Sequence, residues 1–288
     1  MLNLTKTQKI CIQYGFLLLL ICMTVYLVST TLDITLIPMI MKLVNKKFIF
    51  IGFLIMVLYI ILECTIINIL IKTIQKTKVR FLAVKIAMMG FYYNLVTPFA
   101  SGSQPMQIYA LNKYDINLSK SIAIVTNKTV LFQTVVTIYS AVIIFLNIEV
   151  LKNELPSMLV LMSIGMVMNI VSLLGGMLIV LTPNTMKIIV KVIVNILYRL
   201  NIFKSLNKKI HTINKFIDEY SYSIKLFIKN KKALFLSIIL TIIQLTVFFS
   251  ISYCVYKAFN LNGLSLFEVL SLQVFLYMSV SPIPTPGN

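Results

Sequence analysis

A series of apolar stretches long enough to cross a bilayer, divided by lysine-rich connections, restricts this chain more than any other feature. From Phe48 to Leu70 only Glu63 is charged, and from Ser121 to Leu146 only Lys128. About 20 consecutive apolar residues carry a helix across the hydrocarbon core. In lipid the backbone must satisfy its own hydrogen bonds, which leaves helices or closed barrels. Runs of this length read as helices. The composition agrees, since 59% of the 288 residues are hydrophobic and only 12% charged, far from a soluble globular domain. The expected class is all-α: a polytopic integral membrane protein forming one domain over residues 1–288.

Spans are expected at about 14–32, 48–70, 121–146, 157–181, 233–256 and 264–280. Lys6 and Lys9 precede the first run, which is too long for the apolar core of a signal peptide and lacks small residues suited to cleavage, so it reads as a retained span. The net charge is +18. Its basic residues sit in connections rather than in spans, which makes an anionic lipid surface the expected partner and excludes nucleic acid. Cys11, Cys22, Cys64 and Cys254 show no paired spacing, so neither a disulfide nor a metal is expected. His211 has no ligand partners at suitable spacing, and no cofactor is expected.

One apolar stretch differs from the others. In Phe91–Ile108, FYYNLVTPFASGSQPMQI, Pro98 and Pro105 bracket Ser101, Gly102, Ser103 and Gln104. Each proline removes a backbone donor and obstructs the preceding turn. Non-helical backbone at bilayer depth survives only when buried in protein or lining a wet cavity, and interrupted hydrophobic segments point to transport sites. The segment at about 86–111 is therefore expected to break in the middle and to form the site.

Loop charges indicate how it crosses. Lys72, Lys76, Lys78, Arg80 and Lys85 precede it, whereas Asn147–Pro156 carries Glu149, Glu154 and a single lysine, Lys152. Basic loops stay in the cytoplasm. A full crossing by the broken segment would put the acidic loop inside and export the basic stretch 184–232, so a re-entrant hairpin is expected. Lys42, Lys46 and Lys47 in the first external loop run against this pattern. Within 184–232, Lys187, Lys191, Asn195 and Arg199 recur every four residues opposite an apolar face, the pattern of an amphipathic helix lying flat under the inner leaflet.

Two charges lie inside spans at matching depth, Glu63 and Lys128. An ionisable group there costs several kcal/mol, of order 3, unless paired or wet, so an ion pair between them, structural or substrate-binding, is expected. Within the break, Ser103 or Gln104 can cap a second half-helix with Pro105 in its first turn. That would leave the backbone donors of Met106 and Gln107 facing the cavity, as a site for phosphate. Asn94, Thr97, Ser101, Gly102, Ser103, Gln104, Gln107 and Lys128 are the expected head-group residues. No residue is assigned a catalytic role. The chain closes on a second break, with Pro284, Pro286 and Gly287. Two breaks in corresponding positions fit inverted repeats around one midplane site, and a chain cut short of its last helix is expected.

Around these breaks the sequence resembles the membrane domain of the lysylphosphatidylglycerol synthetase/flippase family, also called multiple peptide resistance factors. The resemblance rests on Asn94–Gln107, on Lys128 in the following span and on Pro284-Thr-Pro-Gly287, and it runs through nearly the whole chain in segment order. Ser103 stands where many relatives have glycine and Lys128 where arginine is frequent. The resemblance implies a multi-pass domain of the bacterial cytoplasmic membrane. Such a domain moves phosphatidylglycerol or its aminoacyl ester to the outer leaflet, which alters surface charge and resistance to cationic antimicrobial peptides.

Two alternatives stand beside this reading. One is a phosphatidylglycerol lysyltransferase acting with a catalytic domain absent from these residues, either in a longer chain or as a separate synthetase. The other is an ion-coupled small-solute transporter, for which Glu63 is the main coupling candidate. Self-association is left open.

Overall fold

The computed structural model describes residues 37–97, 102–149, 151, 156–182, 192 and 207–281. The expected first span at 14–32, Ser101, most of the amphipathic stretch from 184, and Pro284, Pro286 and Gly287 lie outside the described residues. Those described are helical, without a strand among them: α1 (Ile37–Leu43), α2 (Lys46–Ile74), α3 (Leu82–Val96), α4 (Ser103–Lys113), α5 (Leu118–Leu146), α6 (Pro156–Leu181), α7 (Asn207–Lys229), α8 (Lys231–Ala258) and α9 (Leu266–Val280). α2, α5, α6 and α8 are long and apolar enough to cross a membrane. At 29 residues, α2 and α5 each reach about 43 Å, longer than expected because their ends continue past the hydrocarbon into the connections.

In the expected span at 264–280 the structure has α9. Ser265 caps α9 by accepting from the Glu268 amide while the Glu268 carboxylate accepts from the Ser265 amide, a reciprocal box that fixes the helix start. From there α9 has only 15 residues, about 22 Å and short of the hydrocarbon thickness. The expected spans at 48–70, 121–146, 157–181 and 233–256 fall in the four long helices.

α3 and α4 form an antiparallel hairpin. Gln107 Nε2 donates to the Ile86 carbonyl oxygen at 3.2 Å, and Gly90 faces Gln107 and Ser103 so closely that a β-carbon there would collide with the Gln107 amide. At the open end, the Lys85 ammonium lies 4.9 Å from the centre of the Tyr114 ring, and Gln75 Nε2 reaches the Asp115 carbonyl at 3.4 Å. The chain thus leaves α2 and joins α5 at the same end of the bundle. α8 runs antiparallel to α2: the Asn45 amide donates to the Ala258 carbonyl at 2.7 Å, and a side chain at Gly52 would touch Cys254. Small residues at such contacts let membrane helices approach closely.

Two apolar cores result. One joins the hairpin to the ends of α2 and α5 beside it and includes Ile67, Leu70, Ile86, Leu111 and Ile124. The other packs α9 against α5, α6 and α8 through Val136, Phe249, Val274 and Met278. α7 closes the first core, because Ile217, Tyr220, Ile224 and Phe227 recur at three- and four-residue intervals and are all buried. Ser119 Oγ donates to Glu219 at 2.7 Å beside this contact. The basic segment over 207–229 therefore turns its apolar stripe onto protein, while the stretch with Lys187, Lys191, Asn195 and Arg199, on which the flat interfacial helix is expected, lies outside the described residues.

Candidate functional site

The hairpin, α2 and α5 enclose a cavity of about 300 Å³ between the two cores. Glu63 on α2 and Lys128 on α5 reach it from facing helices, and Lys128 Nζ pairs with Glu63 Oε1. Glu63 is buried, and its second oxygen accepts from Gln244 Nε2 of α8 at 2.9 Å. Both carboxylate oxygens are thus engaged, as the cost of a charge away from water requires. Among the expected head-group residues, Asn94, Ser103, Gln104 and Gln107 line the same cavity with Lys128. Gln107 holds its position through the bond to Ile86.

Thr97 and Gly102 do other work. The Thr97 hydroxyl donates to the Tyr93 carbonyl at 2.5 Å and accepts from the Gly102 amide at 2.9 Å, so Thr97 fastens the break instead of lining the cavity. Gly102 is needed for this approach, since a β-carbon there would lie 2.8 Å from Thr97 Oγ1. Gly102 is also the residue before α4, with no side-chain cap. The expected start is corrected accordingly: the helix opens at Ser103, and the Met106 amide already donates to the Gly102 carbonyl at 3.2 Å. The amides lacking an acceptor one turn back are those of Ser103 and Gln104.

Four polar or aromatic residues absent from the sequence reading complete the site. Gln244 orients Glu63. Tyr59 lines the cavity, its ring centre 5.8 Å from Phe91 of the hairpin and 5.4 Å from Phe248 of α8. Gln133, also on the wall, donates to Asn169 Oδ1 of α6 at 2.6 Å. Asn169 Nδ2 in turn donates to Ser281 Oγ at 3.0 Å, so the end of α9 is tied to the cavity wall through buried amides. Lone amides in the apolar runs around Gln133, Asn169 and Gln244 are the signal that could have found them, because a span keeps such groups only where they have partners.

The cavity can hold one negative and one positive group side by side, with neutral donors and acceptors around them. The model of one family, described as the lysylphosphatidylglycerol synthase TM region, matches residues 12–288. No curated protein and no solved structure matches the chain. The family match, the long apolar helices and the charged cavity agree, and the chain belongs to the lysylphosphatidylglycerol synthase TM region family, as a multi-pass membrane protein.

Proposed function

We propose that this domain translocates aminoacylated phosphatidylglycerol across the bacterial cytoplasmic membrane, with the Glu63–Lys128 cavity receiving the head group while the acyl chains remain in lipid. The ion pair in the cavity carries the reading. Splitting that pair alone would strand a charge at membrane depth, which costs about 3 kcal/mol or more. A head group with both a phosphate and an ammonium avoids this cost: the phosphate meets Lys128 as the ammonium meets Glu63. Unmodified phosphatidylglycerol has no ammonium and would leave Glu63 to Gln244 alone. The cavity accordingly favours the aminoacyl ester, and moving it outward would lower the negative charge of the cell surface.

The hairpin gives the head group its route. In this reading Lys72, Lys76, Lys78, Arg80, Lys85 and Lys113 gather with basic α7 at one end, the cytoplasmic one by the distribution of positive charge. The hairpin then enters and leaves on that side. α9 approaches from the opposite end, giving two half-helices that point toward the middle from opposite faces, as inverted repeats do.

The test is outward movement of fluorescent lysylphosphatidylglycerol in proteoliposomes. The parent chain should move it, and should move phosphatidylglycerol at least about tenfold more slowly. Equal rates for the two lipids, or labelling of cysteines at positions 85 and 113 from opposite faces, would overturn the reading. The family's description favours one second reading, a lysyltransferase completed by another domain. Incubation of the full-length protein with lysyl-tRNA and phosphatidylglycerol would reveal it as lipid-bound lysine.

A further inference from the structure

A second site lies on the far side of α2. Ile61, Thr65, Asn68 and Lys72 follow one another at four, three and four residues, a single stripe about half a turn around the helix from Tyr59 and Glu63. The stripe forms one wall of a groove of about 470 Å³ whose other wall includes Phe81 at the start of α3.

We infer that this groove binds an anionic glycerophospholipid of the adjacent leaflet, with its phosphodiester at Lys72 and its acyl chains along Ile61. Charge is the first argument. Lys76, Lys78 and Arg80 follow Lys72 in the connection whose Thr77 and Val79 line the groove, and no carboxylate is among the described residues lining it. The cavity beyond α2 offers both signs, whereas the groove offers only positive charge. It suits a head group with net negative charge, not one carrying an ammonium.

Asn68 supplies the second argument. It is half-buried in a membrane-spanning helix, and among the described residues its amide has no hydrogen-bond partner. A polar group left so in lipid is costly unless a ligand reaches it. Asn68 lies one turn, about 6 Å, deeper than Lys72, which is where the ester carbonyls of a lipid sit relative to its phosphate. Those carbonyls are acceptors for the amide.

The mouth is held in an unusual shape. Phe81 has φ of 57°, a left-handed conformation uncommon for a bulky residue. Its exposed ring lies 5.2 Å from the Arg80 guanidinium carbon, which keeps a cation at the rim.

This inference does not depend on what the Glu63–Lys128 cavity carries. A benzophenone side chain at position 61 of the full-length protein, in vesicles with equal amounts of phosphatidylglycerol and phosphatidylethanolamine, reads the occupant directly. Mass spectrometry should find phosphatidylglycerol adducts in about tenfold excess. Lys72→Glu should equalise the two lipids, and Lys72→Gln should bring them partway. Lys72→Arg and the distant Lys215→Glu should leave the excess intact. Equal adducts in the parent chain, or a crosslink to residues 14–32 or to a second copy, would overturn the inference.

Discussion

Lys128 pairs with Glu63 across the cavity, joining α5 to α2 beside the place where Gly90 faces Ser103. The pair neutralises two charges that neither helix could keep alone in lipid, and under the proposed function its two ends would also be the points that a phosphate and an ammonium of the head group meet.

Charge exchange separates these roles. Glu63→Ala or Lys128→Ala alone leaves an uncompensated buried charge and should destabilise the protein by about 3 kcal/mol, read as a lower unfolding temperature in detergent. Glu63→Lys combined with Lys128→Glu should recover most of that stability, because Gln244 can rotate its amide and offer oxygen to the new lysine. Lipid movement should stay lost, since the phosphate would then meet a carboxylate at position 128. Full recovery of movement by the exchange would leave the pair a structural role only.

The Gly90–Gln107 contact should behave as a unit. A β-carbon at position 90 meets the Gln107 amide, which is buried and bonded to Ile86. Gly90→Ala should displace the amide and cost about 1–3 kcal/mol. Gln107→Ala removes the obstruction, so the double variant should be less destabilised than the two single changes summed, by about 1 kcal/mol. Strict additivity in thermal unfolding would mean that the hairpin is held elsewhere.

Much of this architecture can be read from the chain because membrane depth makes sequence unusually informative. A charge in the middle of an apolar run, as at Glu63 or Lys128, has few places to go. Two prolines around Ser-Gly-Ser force a break wherever the rest of the fold lies. What the chain conceals are distinctions of a few ångströms. Thr97 and Asn94 are three residues apart and equally polar, yet one closes the break while the other faces the cavity. The start of α4 moves because the approach of Thr97 to Gly102 fixes the turn, a contact that spacing does not reveal. The start of α9 is set by the Ser265–Glu268 box, a local signal present in the sequence but weaker than the apolar run around it.

That box gives α9 a pH dependence. Hydrogen bonds from the Ser265 amide and hydroxyl hold the Glu268 carboxyl below its ordinary value. A carboxyl lowered on folding stabilises the helix start above its unfolded value, and the contribution disappears as pH falls through the folded one. Amide exchange over residues 266–270 should therefore quicken on acidification beyond its intrinsic pH dependence. Glu268→Gln should remove that excess, and an unchanged excess in the variant would assign it to another group.

Asn169 offers the sharpest test of whether α9 and the cavity move together. It is buried, accepts from Gln133 at 2.6 Å, and donates to Gly165 at 2.9 Å and to Ser281 at 3.0 Å. Asn169→Leu keeps the volume and strands the Gln133 amide and the Ser281 hydroxyl, at about 1–3 kcal/mol. Membrane amide pairs average less than their soluble counterparts because loosened groups find new partners, so the low end is expected. The more telling readout is a cysteine at Thr129, on the cavity wall one turn before Gln133. If Asn169 ties that wall to the end of α9, its loss should change the labelling rate at position 129 several-fold, and Asn169→Gln, which can re-form the Gln133 bond, should restore part of the parent rate. An unchanged rate in Asn169→Leu would mean that the cavity and α9 respond independently, and the two half-helices would no longer be parts of one device.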